Sequence, residues 1–119
     1  MLAQVPTSRL SDLEPHEQMA LVALIRLMIR LDGTFSQDEV MMLNGLAREL
    51  GPPLFWRLMS EVQATVHTSA EITDLARSVT RPEIQEWTYR ILSRLAHVDG
   101  LEGKEAELLE WLKRTWQLG

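Results

Sequence analysis

The chain has 119 residues, and its twelve basic and seventeen acidic side chains give a net charge of −5. A hydrophobic fraction of 45% with 24% charged residues is typical of one globular domain. The acidic balance argues against nucleic-acid binding, which needs clustered lysine and arginine, and the lack of cysteine excludes disulfides and thiolate metal sites.

The N-terminal residues have neither a helical repeat nor the apolar core of a signal peptide. We therefore predict a flexible arm over residues 1–10 and a single domain over residues 11–119. The longest apolar run, residues 21–31, contains two arginines and is too short to span a bilayer. These features predict a cytoplasmic protein that does not insert into a membrane.

The first predicted helix, Pro15–Leu31, is apolar at nearly every position after residue 18, which is typical of a helix at the centre of a domain. Asp32-Gly33 ends it, because glycine adopts the positive φ of a helix terminus. Ser36 and Glu39 then have the spacing of a capping box, in which each side chain bonds the backbone amide of the other residue. This box predicts a second helix, Gln37–Leu50.

Four further helices are predicted after Gly51. The third begins at Pro52-Pro53, and capping boxes at Thr68–Glu71 and Thr80–Glu83 begin the fourth and fifth. The fifth ends at Asp99-Gly100, and the sixth covers residues 104–117. Apolar residues never alternate over a useful length, so no strand is expected. The fold class predicted is an all-α, single-domain bundle of about six to seven helices.

Two stretches of the chain repeat one pattern. IRLDGTFSQDEVMML and AHVDGLEGKEAELLE each contain the end of an apolar helix, an Asp-Gly corner and the start of a second helix, with the aspartates, Asp32 and Asp99, 67 residues apart. The repeat predicts two helix–corner–helix units related by an approximate twofold axis. The second unit departs from the first at Ala106, which stands seven residues after Asp99 where Glu39 stands seven after Asp32.

A helix ending in Asp-Gly with an acidic residue seven positions later resembles the TerB-like tellurite-resistance family. Relatives of that family include the N-terminal domain of membrane-anchored J-domain co-chaperones. The resemblance covers roughly residues 11–118 and implies an all-helical fold and a metal- or stress-linked role. The suspected cation sites of the family map onto Asp32, Glu39 and Asp99, and Ala106 departs from the pattern.

Two interpretations of the acidic corners remain open. Asp32 and Glu39, joined across the repeat by Asp99 and by Glu102 or Glu105, would offer oxygen ligands to Ca²⁺ or Mg²⁺ at a weak site. Alternatively, these acids only cap helices and accept local amide hydrogen bonds. An EF-hand is rejected, because Arg30 stands where such a loop needs an oxygen ligand.

The remaining polar residues form no sequence motif that is typical of an enzyme. The histidines do not form an HExxH pattern, and no nucleophile elbow or phosphate-binding loop is present. Arg26 and Arg30 lie one turn apart on the first helix, where they would either neutralise buried acids such as Asp32 or bind an anionic partner.

Some large apolar residues fall beside the inner stripes of their helices. Trp56, Trp111 and Met42 are the candidates for an exposed partner surface, which would serve a protein partner or a homodimer. The sequence therefore predicts a non-enzymatic accessory or scaffold domain of a stress-related, tellurite-resistance-like assembly that acts through protein–protein contacts. The alternative is a divalent-cation-binding sensor that uses the acidic corners.

Overall fold

The computed structural model describes residues 10–31, 37–96 and 103–118, except for the side chain of Glu39. All regular structure in these ranges is helical. A short 3₁₀ turn (Leu10–Asp12) precedes α1 (Pro15–Leu31), α2 (Gln37–Leu50), α3 (Pro52–Thr65), α4 (Ser69–Ser78), α5 (Pro82–Ala96) and α6 (Gly103–Thr115). The prediction of an all-α, single-domain helical bundle is confirmed. In these ranges no helix combines the length and the apolar character that crossing a membrane requires.

The central helix of the bundle is α1, which packs against α3, α4, α5 and α6. Six consecutive residues, 20–25, are buried, and so is Met28 one turn later. A helix buried on every side must be apolar on every side, since an unpaired polar group there would lose its hydration. The apolar composition of this segment therefore predicted its position correctly.

The helix ends follow from local chemistry at three predicted positions. Pro15 is the first residue of α1, and the carboxylate of Glu17 accepts the amide of Glu14 at 2.8 Å. The capping box of Thr68 and Glu71 forms at the start of α4. Gly51 separates α2 from α3 with a φ of 110°, a conformation that side chains disfavour, and its amide donates to the carbonyl of Ala47.

The predicted capping box of Thr80 and Glu83 does not form, and that prediction is wrong. The helix α5 begins at Pro82, and the carbonyl of Arg81 accepts the amides of Ile84 and Gln85, so the N-cap is one residue later than the box requires. A residue before proline is disfavoured in the helical conformation, which keeps Arg81 outside the helix.

The burial pattern of α1 recurs in α5 at an offset of 67 residues (82 − 15), and that of α2 recurs in α6 at an offset of 66 (103 − 37). The matching buried positions are Leu21, Leu24, Ile25 and Met28 with Thr88, Ile91, Leu92 and Leu95, and Leu43, Leu46 and Leu50 with Leu109, Leu112 and Trp116. The repeat seen in the sequence thus extends to which residues face the core. The superposition of the two corners stays a prediction, because both corners lie outside the described residues.

Candidate functional site

The acidic corners, predicted as a weak cation site, lie mostly outside the described residues. This holds for Asp32, Asp99 and the side chain of Glu39, whereas Glu105 is described and only 6% exposed. Across residues 10–31, 37–96 and 103–118, no group of three or more histidine, aspartate or glutamate side chains is arranged to hold a metal ion. The corner site therefore stays a prediction.

The helix boundaries change how the two corners correspond. Glu39 is the third residue of α2 and Glu105 is the third residue of α6. An offset of 66 residues therefore pairs Glu39 with Glu105 rather than with Ala106. The link after the second aspartate is one residue shorter, so counting seven residues from each aspartate misaligns the second helices. Each unit thus has a glutamate in the first turn of its second helix.

The described residues also contain an ion pair, buried on the side of its glutamate, that connects the starts of α1 and α5. Arg81 donates from Nε to the carboxylate of Glu17 at 2.8 Å, and its Nη2 bonds the other carboxylate oxygen. Glu17 is 2% exposed while the arginine side chain is 42% exposed. The hydrogen bond from Arg81 lowers the pKa of Glu17, and the raising effect of burial is smaller. The pair keeps Glu17 ionised in the core.

Sequence reasoning missed this pair, because its members are 64 residues apart. The only signal was an acid in the first turn of an otherwise apolar helix, which required a partner from another part of the chain. Both carboxylate oxygens are occupied, and the pair holds two helix starts together. This arrangement is that of a structural element of the bundle.

The residues predicted to form a partner surface differ in their exposure. Trp56 on α3 is 41% exposed, and Met42 on α2 is half-buried while its neighbour Met41 is 65% exposed. Trp111 on α6 is half-buried, with the guanidinium carbon of Arg77 5.9 Å from the centre of its ring. In the described part of the chain, Met41 and Trp56 are the large apolar side chains that meet the most water.

The two arginines of α1 differ from Arg81 in having no acidic partner among the described residues. Arg26 is half-buried and Arg30 is exposed, and neither is within ion-pair distance of a described carboxylate. The predicted pairing of these arginines with Asp32 lies outside the described residues. Both side chains line a cleft between α1 and the start of α4.

Comparisons of this chain with protein-family models, with curated protein sequences and with solved structures give no match. The resemblance to the TerB-like family therefore stays a prediction carried by the Asp-Gly corners and their spacing.

Proposed function

We propose that this chain is a non-enzymatic accessory or scaffold domain that acts through protein–protein contacts, with a protein partner or a second copy of itself. The observation that carries the proposal is the exposure of Met41 (65%) and Trp56 (41%) on consecutive helices. Tryptophan is the residue most enriched at the centres of interfaces, and methionine adapts to irregular partner surfaces. The stress-related, tellurite-resistance-like setting and a cytoplasmic location rest on the sequence alone.

The exposure of these two residues is informative because comparable side chains elsewhere in the described chain are more buried. The other described tryptophans are half-buried or, like Trp116, almost fully buried, so the bundle has room for indole rings. Trp56 follows Phe55, which is 0% exposed, and the two rings meet edge to face with centroids 5.0 Å apart. Phe55 thus fixes the orientation of a partly solvated ring, which lowers the entropy lost when a partner covers it.

We expect Trp56→Lys and Met41→Lys to weaken association at least tenfold, because a lysine in the centre of an interface must lose its hydration. Thr65→Lys, at an exposed position about 180° around α3 from Trp56, is the matched control and should change association less than twofold. Sedimentation velocity over roughly 1–300 µM measures self-association in the micromolar range. For a protein partner, affinity purification followed by mass spectrometry should find a protein retained by the wild type and Thr65→Lys but lost from both other variants. If all four proteins associate equally, or none does in either experiment, the proposal is wrong.

A second proposal is that the chain senses a divalent cation, Ca²⁺ or Mg²⁺, through Asp32, Glu39, Asp99 and Glu105. The observation in its favour is the burial of Glu105 in the first turn of α6, five residues after the second corner ends at Gly100 and at the position that matches Glu39. Carboxylates held in place at helix starts are ligands that such hard cations prefer.

Thermal melts test the cation proposal. A site with a Kd on the order of 10⁻⁴–10⁻³ M would stabilise the protein by about 1.4 kcal/mol at ten times Kd, which raises the melting temperature by several degrees. Asp32→Asn should abolish that shift yet melt like the wild type in EDTA, because asparagine serves turns and caps as well as aspartate does. No shift up to about 10 mM cation would leave the corners as helix caps.

A further inference from the structure

The cleft between α1, the end of α3 and the start of α4, which we name the α1–α4 cleft, has features that neither proposed function uses. Its volume is about 270 Å³. The apolar part of its wall includes Leu27, Val62 and Ile72, and Arg26 and Arg30 line the same space. It is an apolar cavity with two cationic side chains from one helix.

Acidic side chains outnumber basic ones in this protein, which has a net charge of −5. Even so, Arg26 and Arg30 take no part in the three ion pairs formed among the described residues, which use Arg81, Arg90 and Arg94. Residues four apart on a helix lie on the same face, about one turn along the axis. Two neighbouring guanidinium groups present forked donors that match the geometry of a carboxylate. The cleft thus offers charge complementarity to a single anionic group.

The start of α4 forms part of the wall, and the groups of its capping box are bonded to one another. The carboxylate of Glu71 accepts the amides of His67 and Thr68 at 2.9 and 3.0 Å, and the Thr68 hydroxyl accepts the amide of Glu71. The ring of His67 is held by the carbonyl of Ala64 through Nε2 at 2.9 Å. The anion is therefore assigned to the two arginines, and the carboxylate of Glu71 is already engaged at the helix start.

The volume limits what the cleft can hold. At about 270 Å³, the cleft lies just below the roughly 300–1,000 Å³ that is typical of small-molecule sites. A chain of seven or eight carbons fills such a space while its carboxylate stays at the arginines. A complete phospholipid or a folded domain would not enter.

We propose that the α1–α4 cleft binds a small apolar monocarboxylate, with its carboxylate on Arg26 and Arg30 and its tail against Leu27, Val62 and Ile72. Burial of the apolar tail and charge-assisted hydrogen bonds to the carboxylate would both contribute to the free energy of binding. A ligand of about ten non-hydrogen atoms is expected to bind with a Kd on the order of 0.1–1 mM.

Octanoate is the probe, titrated to about 10 mM, ten times the upper end of the expected Kd range, while methyl resonances are followed by NMR. We expect the methyl signals of Leu27, Val62 and Ile72 to shift together. Octanol has the tail without the charge, and acetate has the charge without the tail. Each should bind at least about tenfold more weakly, because each loses one of the two contributions.

The variant Arg26→Gln/Arg30→Gln should weaken octanoate binding at least about tenfold, and Arg30→Gln alone about threefold. The matched control, Arg48→Gln/Arg57→Gln, removes two exposed arginines from α2 and α3 and should change the affinity less than twofold. Melting of each variant without ligand shows whether it folds. Because Arg30 is exposed, the single variant keeps the test valid if the double variant does not fold.

Four results would overturn the proposal. Octanol and octanoate could bind equally, or octanoate could leave the cleft methyls unshifted. The control pair could weaken binding as much as the cleft pair, which would indicate general attraction of anions. Finally, an N-acetylated tripeptide ending in leucine could shift the same methyls with an affinity at least tenfold above that of octanoate, which would assign the cleft to a peptide C-terminus.

Discussion

Arg81→Met is expected to lower the melting temperature by on the order of 10 °C, because it leaves the carboxylate of Glu17 in the core without a counter-charge. Glu17 is 2% exposed, and two of its hydrogen bonds come from Arg81. The amide of Glu14 is its remaining donor and does not compensate a buried negative charge. Thermal unfolding followed by circular dichroism at neutral pH measures the effect.

The chain offers a matched control in Arg94→Met. Arg94 also pairs with a glutamate on another helix, at 3.2 Å, but Glu49 is 58% exposed and the arginine 46%. Water replaces such a partner readily, so the melting temperature should fall by less than about 3 °C. Glu17→Gln combined with Arg81→Met should recover at least half of the loss, since glutamine is neutral and can still accept the amide of Glu14. Equal decreases in melting temperature for Arg81→Met and Arg94→Met would show that the burial of Glu17 does not increase the effect of breaking its ion pair.

The same pair predicts a dependence on pH. The pKa of Glu17 is lowered in the folded protein, chiefly by its hydrogen bond from Arg81. Its contribution to stability is therefore complete above the unfolded-state pKa of about 4.3 and is lost as the pH falls through the lowered folded-state pKa. The difference in melting temperature between wild type and Arg81→Met should narrow as the pH falls from about 7 to 3. A difference that grows on acidification would contradict this assignment.

Much of the fold was predictable because its signals are local. Proline at the start of α1, glycine at the end of α2 and the capping box of Thr68 act within four residues, and each works as the sequence indicates. The failure at Thr80 has a local cause as well. Its spacing to Glu83 matches a capping box, but Pro82 lies between them and moves the N-cap to Arg81.

The candidate sites were less predictable because they depend on contacts between distant segments. Glu17 and Arg81 are 64 residues apart in the sequence and meet only because α1 packs against α5. Likewise, the periodicity of α1 placed Arg26 and Arg30 on one face but gave no indication that the end of α3 and the start of α4 complete a cleft there. For adjacent apolar residues the periodicity was misleading: we predicted Met42 as the exposed one, whereas Met41 is 65% exposed and Met42 is half-buried.

Trp116→Ala is expected to lower the free energy of unfolding by about 3–5 kcal/mol, because the indole directly after α6 is almost fully buried. Its side chain is 6% exposed, and its Nε1 donates to the carbonyl of Ala76 on α4 at 3.0 Å. Truncation leaves a cavity and removes that hydrogen bond. Trp116→Phe retains most of the apolar volume and should recover more than half of the loss. Urea denaturation, with the slope checked for two-state behaviour, measures both variants.

Trp111→Ala, five residues earlier on α6, is the matched control. Trp111 is half-buried, and its polar contact is the guanidinium of Arg77 over its ring, which contributes about 0.5–1 kcal/mol at a partly solvated site. Less apolar surface leaves water when this ring packs, so its truncation should cost no more than about half as much as that of Trp116. If the two truncations were equally destabilising, the attachment of α6 would be spread along the helix. The difference between the two losses in free energy of unfolding measures how far the attachment of α6 depends on the contact of Trp116 with α4.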